Sequence, residues 1–182
     1  MRRPTCIIDR TSIPFALLAP IASQPEPVTA LQGVRVLDLS RMVAGGVAGM
    51  LLADFGAEVV KVEQPGAGDP LRQWTAEGQP FWWKVYARNK QFITLNLKSE
   101  QGRELLLRVL PQFDIVMESF VPGTLERMGL GPDILQARHP RLVVLRISGW
   151  GQDGPGAARP VRRLPPRALR RRPGPRQSGR AR

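Results

Sequence analysis

The feature that most constrains the fold is an alternation of strand-like and helix-like segments between residues 30 and 155. Short runs rich in valine, leucine and isoleucine recur along this region, beginning with residues 33–39 and 57–62. Strands that are separated by helices form βαβ units, whose strands are parallel and whose crossovers are right-handed. The sequence therefore predicts an α/β fold, a parallel sheet with flanking helices.

The boundaries of the helices follow from capping residues and breakers. The first predicted helix, residues 44–55, is apolar and ends at Gly56. The second begins after the N-cap Ser99 and ends at Pro111. Its predicted apolar face consists of Leu105, Leu106, Val109 and Leu110. A glycine- and proline-rich loop is predicted at 64–80, further strands at 92–97, 115–117 and 142–147, and helical turns at 123–128 and 132–137.

Basic charge is concentrated at the carboxyl-terminal end of the chain. The formal net charge is +12, but residues 157–182 contain ten arginines and no acidic residue. The other residues carry 17 basic and 15 acidic side chains, which is nearly neutral. We predict a disordered leader at 1–29, a globular domain at 30–156 and a disordered basic tail at 157–182. Arginine, proline, glycine and alanine all have GC-rich codons, so we interpret the tail as a possible frameshift product.

Composition excludes several classes of protein. The single cysteine, Cys6, excludes an internal disulfide framework and a multi-cysteine metal site, and the single histidine, His139, argues against a histidine-rich metal centre. No run of about 18 apolar residues occurs, which argues against a membrane-spanning helix. We expect a cytoplasmic protein without a metal and without a specific nucleic-acid partner.

One motif suggests dinucleotide binding. Ala44, Gly46 and Gly49 differ by one residue from the dinucleotide fingerprint, and Glu63 ends the second predicted strand, where a ribose-binding acid would lie. However, the first position of the fingerprint belongs in the turn directly after the strand, whereas residues 40–43 intervene here. Small residues also let a helix lie close to a sheet. We therefore favour a packing role for these glycines.

Several segments occur in an order that is typical of one enzyme family. They are residues 31–40, 53–63, 65–69, 88–90, 94–98, 118–131, 139–142 and 148–155. Together they resemble the N-terminal portion of the class III CoA-transferases (CaiB/BaiF type), which include formyl-CoA and carnitine CoA-transferases and the related α-methylacyl-CoA racemases. The resemblance implies a Rossmann-like domain that binds coenzyme A without the dinucleotide fingerprint. It also implies transfer of CoA from an acyl-CoA to a carboxylic acid by an interlocked homodimer, although a dimer is doubtful for this chain.

The resemblance also implies which residues contact CoA. Two cationic side chains would bind its phosphates, apolar side chains would contact the adenine or the pantetheine arm, and backbone groups would bind the adenine edge. These residues are Val43, Ala44, Leu95, Lys98, Phe120, Arg127 and Met128. The sequence departs from the family at Ser119, where asparagine is common, and at Gln64, where some members have arginine.

The catalytic residue of the family is expected further along the chain. The resemblance places the nucleophilic aspartate beyond residues 149–155, where this sequence has the arginine-rich tail and no aspartate. We therefore expect a truncated, inactive CoA-transferase with no catalytic residue of its own. One alternative is a racemase-like fragment. The other is a non-catalytic protein that binds CoA or that binds anionic polymers through its tail.

Overall fold

A computed structural model describes residues 29–157 of the 182-residue chain. The predicted leader and tail lie outside these residues, apart from Thr29 and Ala157. Within the described part, parallel strands alternate with helices as the sequence predicts. The strands are β1 (Arg35–Asp38), β2 (Glu58–Glu63), β3 (Lys90–Thr94), β4 (Ile115–Glu118) and β5 (Val143–Arg146). The helices are α1 (Met42–Asp54), α2 (Phe81–Tyr86), α3 (Glu100–Val109), α4 (Thr124–Arg127) and α5 (Pro132–Arg138), with 3₁₀ turns at Pro70–Gln73 and Leu110–Gln112.

The strands of residues 29–157 form one five-stranded sheet in the order β3-β2-β1-β4-β5. All neighbours are parallel, and Val36 of β1 lies opposite Val59 of β2 and Ile115 of β4. The chain moves outward from β1 to β3 and then crosses to the other side of β1. The direction of winding therefore reverses between β1 and β4, and such a switch point leaves a crevice at the carboxyl ends of the strands.

The core lies on both faces of this sheet. Successive residues of β1 point to opposite faces, so that Val36 packs in one cluster with α1 and Leu37 in another with α3, α4 and α5. The second cluster includes Leu106 and Leu110 from the end of α3, both fully buried. The two clusters confirm the predicted parallel sheet with helices on its faces.

Several predicted boundaries were wrong. The first helix begins at Met42 rather than at residue 44, and β3 ends at Thr94 although the alternating pattern continues to residue 97. The pattern misleads because only residues 90–94 pair with β2. Helix α2 lies just after the predicted loop and was not predicted, since it is only six residues long and has no side-chain cap.

Helix α3 confirms the predicted cap but not the whole predicted face. The Ser99 hydroxyl accepts a hydrogen bond from the backbone N–H of Gly102 at 3.1 Å. Leu106 and Leu110 are buried as predicted, whereas Leu105 is 45% exposed. The buried line runs through Gly102, Leu106 and Leu110, which are four residues apart. The apolar residues of this helix recur at both three- and four-residue spacings, so the sequence did not fix which of two adjacent positions would be buried.

Substituting Gly102 with alanine should destabilise the protein. A Cβ at this position would lie 2.0 Å from the backbone oxygen of Asn96, and backbone cannot move aside as a side chain end can. We expect Gly102→Ala to lower the free energy of unfolding by about 1–3 kcal/mol, measured by urea denaturation of the full chain. The matched control is Glu104→Ala, an exposed position on the same helix, for which we expect a change of less than about 0.5 kcal/mol.

Candidate functional site

A cleft lies at the carboxyl ends of the strands, beside the switch point. Its lining comes from the end of β2, from the segments that follow β1, β2, β3 and β4, and from one residue just after α4. This is the position at which open α/β sheets bind their ligands. The lining residues are Leu39, Ser40, Arg41, Val62, Glu63, Gln64, Gly68, Asp69, Leu95, Asn96, Leu97, Lys98, Phe120 and Met128.

The structure brings four of the seven sequence-predicted contact residues together in this cleft. They are Leu95, Lys98, Phe120 and Met128. Two others, Val43 and Ala44, lie in the first turn of α1 and do not line the cleft. The remaining residue, Arg127, is exposed on α4, where its guanidinium donates a hydrogen bond to the Thr124 hydroxyl at 2.9 Å.

Two cationic side chains lie at the cleft, Lys98 after β3 and Arg41 after β1. Within residues 29–157, neither forms an ion pair with a carboxylate. An unpaired cation beside a cleft is available to an anionic ligand. Arg41 was not among the predicted contacts. The signal that could have found it is a basic residue directly after the first strand, where ligand-binding residues of such sheets lie.

Local hydrogen bonds fix the backbone that carries Lys98. The Asn96 side-chain oxygen accepts the Lys98 N–H at 3.1 Å, and the Arg103 guanidinium donates to the Lys98 carbonyl at 2.9 Å. The N–H of Leu95 donates to the Glu63 carbonyl at 2.9 Å, which ties this segment to β2. The Lys98 backbone is therefore held in place, while its ammonium group stays exposed.

A buried cluster of four charged side chains, which was not predicted from the sequence, lies beneath the cleft. One of the four, Asp69, also borders the cleft. Asp38, Lys61, Asp69 and Lys90 alternate in sign, and each side chain is at most 2% exposed. The Lys61 ammonium lies 3.2 Å from Asp69 and 3.8 Å from Asp38, and the Lys90 ammonium lies 3.2 Å from Asp38. Two positive and two negative groups balance, which offsets much of the cost of removing them from water.

Burial lowers the pKa of Lys90 below its ordinary value of 10.5, and the Asp38 carboxylate partly opposes this effect. The ammonium also donates a hydrogen bond to the Gly46 carbonyl of α1 at 3.0 Å. Gly49 of the same helix allows this approach, because a Cβ there would lie 2.8 Å from the Lys90 nitrogen and 3.0 Å from a carboxylate oxygen of Asp38. The predicted packing role of this glycine is confirmed.

The other elements of the dinucleotide fingerprint are also occupied by structural contacts. A Cβ at Gly46 would lie 3.3 Å from the Tyr86 Cβ, which places α1 close to α2. The Glu63 carboxylate accepts two hydrogen bonds from the Arg72 guanidinium, at 2.9 and 3.0 Å. That guanidinium stacks on the Trp83 ring, with its carbon 3.9 Å from the ring centroid. The carboxylate that could bind a ribose is therefore used within the protein.

Ser119 joins the two loops on either side of the switch point. Its hydroxyl accepts the Arg41 N–H at 2.9 Å and lies 3.2 Å from the Arg41 carbonyl, to which it can donate. The sequence analysis noted Ser119 only as a departure from the family pattern. The geometry assigns it a role in holding the backbone of the cleft wall.

Phe120 is held by a second charged group. The buried Glu118 carboxylate accepts the Phe120 N–H at 2.6 Å and also binds the Arg146 guanidinium at 2.8 Å. The same guanidinium binds Glu126 of α4 at 2.7 Å. These contacts tie β4, β5 and α4 together on the side of the cleft that contains Phe120 and Met128.

The hydrogen bond from Arg146 holds the pKa of Glu126 below its ordinary value of 4.5. A carboxylate whose folded pKa is lowered stabilises the fold above its unfolded pKa, and this stabilisation is lost as the pH falls through the folded value. We therefore expect Glu126→Gln to be less stable than wild type at pH 7 by at most about 1 kcal/mol, because the pair is partly exposed. The difference should vanish below the lowered pKa, measured by urea denaturation between pH 7 and 3. Glu104→Gln, at an exposed position, is the control.

Fold and cleft together define the class of protein. The sheet is parallel, in the order 3-2-1-4-5, and cations that are unpaired among residues 29–157 lie with apolar side chains around a cleft at its switch point. This is a Rossmann-like fold, a class in which ligands bind at this edge of the sheet. In the described range, no helix is long and apolar enough to cross a membrane, and no group of three metal-ligating side chains occurs.

Comparison with known proteins identifies the family. A family model described as CoA-transferase family III matches residues 31–161. The chain belongs to CoA-transferase family III, which confirms the resemblance found in the sequence. It is 50% identical over 136 residues to a succinyl-CoA–D-citramalate CoA-transferase of Chloroflexus aurantiacus, covering 73% of this chain and 34% of that protein. It is 41% identical over 131 residues to human succinyl-CoA:glutarate CoA-transferase, covering 69% of this chain and 29% of that protein.

Solved structures agree with this assignment. The crystal structure of Rv3272 from Mycobacterium tuberculosis is similar with a TM-score of 0.69 and 43% identity, over 74% of this chain and 38% of that chain. A CaiB/BaiF family protein from Brucella suis is similar with a TM-score of 0.67 and 38% identity, over 72% of this chain and 36% of that chain. The chain thus spans about a third of the length of the curated relatives it matches.

Proposed function

We propose that residues 30–156 are the CoA-binding domain of a class III CoA-transferase and that CoA or an acyl-CoA binds in the cleft at the carboxyl ends of the strands. The observation that supports this most is the meeting of Leu95, Lys98, Phe120 and Met128 in one cleft. The family resemblance implies that these four residues contact CoA, and they lie on three separate segments of the chain, after β3, β4 and α4.

In this proposal, cationic side chains bind one part of the ligand and apolar side chains contact another. Lys98, with Arg41 on the other side of β2, binds phosphate groups, because both cations are unpaired within the described chain. Phe120 and Met128 supply apolar, polarisable surface for the adenine or the pantetheine arm. The backbone N–H groups of Val43 and Ala44, at the start of α1, and the exposed Arg127 bind the parts of CoA that extend beyond the cleft.

The reaction proposed for the whole enzyme is transfer of CoA from an acyl-CoA donor to a carboxylic acid. Two of the relatives are named for succinyl-CoA as donor and for an organic acid as acceptor, so succinyl-CoA with citramalate or glutarate is the first pair to assay. The expectation that the 182-residue chain binds CoA without transferring it stays a prediction. The same assay tests the second half of this prediction when it measures the CoA thioester of the acceptor acid, since hydrolysis of succinyl-CoA releases succinate without transfer.

Calorimetric titration of the full chain with CoA tests the proposal. We expect saturable binding of one CoA per chain, and no comparable binding of NADH, because the Glu63 carboxylate is already paired with Arg72. Saturable binding of NADH with none of CoA would contradict the proposal.

A variant chain that ends at Gly156 is the control for binding by the arginine-rich tail, residues 157–182. Binding that is lost in that variant and falls steeply with salt would come from the tail and not from the cleft. The homodimer that the resemblance implies and the cytoplasmic location expected from composition stay predictions.

A further inference from the structure

In the connection between β1 and α1, side chains from distant parts of the chain bind backbone groups of Ser40, Arg41 and Met42. The Lys61 ammonium donates to the Ser40 carbonyl at 2.6 Å, and the Asp69 carboxylate accepts the Met42 N–H at 3.2 Å. Ser119 binds both backbone groups of Arg41. Side chains more than 20 residues away therefore set the shape of this connection.

Met42 has a conformation that needs such support. Its φ is +66°, in the left-handed region that residues with a side chain seldom adopt. A backbone conformation of this kind persists only when the surroundings over-determine it. Met42 immediately precedes Val43 and Ala44, and the residues before it, Ser40 and Arg41, line the cleft. The strained residue therefore sits between the cleft wall and the first turn of α1.

Lys61 and Asp69 act on this segment as one unit. They lie 3.2 Å apart, both fully buried, and each binds a backbone group on a different side of Arg41. Asp69 also accepts the Leu71 N–H at 2.9 Å, which fixes its own carboxylate at the start of the 3₁₀ turn. A buried charge pair is a costly way to gain stability alone, because apolar residues of similar volume do as well or better.

We propose that the Lys61–Asp69 pair positions residues 40–44 for ligand binding, so that it sets the affinity of the cleft for CoA. This inference rests on the proposed function. Lys61 and Asp69 are positioning residues in it, since they act through the backbone of Ser40 and Met42. The ligand itself meets the cleft wall and the N–H groups that the pair holds in place.

The charge balance of the buried cluster permits a clean test. Removing Lys61 and Asp69 together leaves Asp38 paired with Lys90, so no buried charge loses its only partner. We therefore compare Lys61→Met/Asp69→Leu with wild type in the full chain. The conservative variant is Lys61→Met/Asp69→Asn, because the amide oxygen introduced at position 69 can still accept the Met42 N–H. The control is Glu58→Gln, which removes the exposed side of an ion pair with Arg35 at the other end of β1 and β2.

Two readouts separate positioning from stability. For Lys61→Met/Asp69→Leu we expect a lower urea midpoint of unfolding, because the Ser40 carbonyl and the Met42 and Leu71 N–H groups lose their partners. In the folded variant we expect a Kd for CoA at least tenfold higher and faster hydrogen exchange at the Met42 amide. The conservative variant should recover part of both losses, and the control should change neither. If the first variant does not fold, the conservative variant gives the same comparison with wild type, with a smaller expected loss of affinity.

The outcomes also distinguish this inference from the proposed function. If wild type binds CoA and the folded variant binds it equally well, the inference is wrong and the proposed function stands. If wild type does not bind CoA, the proposed function has failed. Hydrogen exchange at the Met42 amide then still tests whether the Lys61–Asp69 pair holds residues 40–44 in place. If exchange in the variant is as slow as in wild type, the pair does not hold these residues, and the inference is wrong as well.

Discussion

Asp38→Asn is expected to destabilise the protein by about 3–5 kcal/mol at pH 7, the usual cost of removing one partner from a buried charge pair. The substitution preserves the shape of the side chain and creates no cavity. However, it leaves Lys61 and Lys90 buried with Asp69 as the remaining carboxylate of the cluster, and Lys90 loses its partner at 3.2 Å. Urea denaturation of the full chain measures the change. Glu58→Gln, which removes one side of an exposed pair, should change stability by less than about 0.5 kcal/mol.

The decrease in the free energy of unfolding caused by Asp38→Asn should depend on pH. Burial already lowers the pKa of Lys90, and removing Asp38 removes an interaction that raises it. A lysine whose folded pKa lies below its unfolded value destabilises the fold most at low pH, and this cost falls as the pH rises through the folded pKa toward 10.5. The difference from wild type should therefore shrink between pH 7 and pH 10. A constant difference over that range would mean that the charge of Lys90 is not responsible.

Lys98→Ala is expected to weaken CoA binding about 10- to 100-fold, the loss of one charge-assisted hydrogen bond to a phosphate. The effect should arise without a loss of stability, because the Lys98 side chain is exposed and forms no ion pair within residues 29–157. Calorimetric titration of the folded variant with CoA measures the change. Lys84→Ala is the matched control, since Lys84 is an exposed lysine on α2 that does not line the cleft.

An equal loss of affinity in both lysine variants would show that CoA responds to the overall charge of the protein and not to the cleft. From the contacts around Lys98 we expect instead that only Lys98→Ala loses affinity. Asn96 and Arg103 hold its backbone in place, so its ammonium should bind one phosphate at one position. Raising the salt concentration should therefore weaken wild-type binding and reduce the difference between wild type and Lys98→Ala.

Much of the fold could be predicted because its signals are local. Ser99 is a cap at one end of a helix, and Gly56 a stop at the end of another, and each acts on residues within one helical turn. The parallel sheet follows from the alternation of elements. The cleft residues Lys98 and Phe120 follow predicted strands, and strand ends on one edge of a parallel sheet come together in space.

The buried charges could not be predicted because their partners are distant in the sequence. Asp38 and Lys90 are 52 residues apart, and their contact depends on the order of β1, β2 and β3 in the sheet and on the approach of α1. Lys61 lies between valines in β2, and a lysine side chain is almost never fully buried, so no local signal indicated that this one is. Helix α2 has neither a cap nor a long periodic pattern, so no local signal marked it.

The most direct test of the proposed CoA site is to map the amide groups whose NMR signals shift when CoA is added to the full chain. We expect the shifts to concentrate at the cleft, at Leu95, Lys98, Phe120 and Met128, and at Val43 and Ala44 at the start of α1. Residues at the opposite ends of the strands, such as Arg35 and Glu58, should not shift. No shifts at saturating CoA, or shifts confined to residues 157–182, would contradict a CoA site in the cleft.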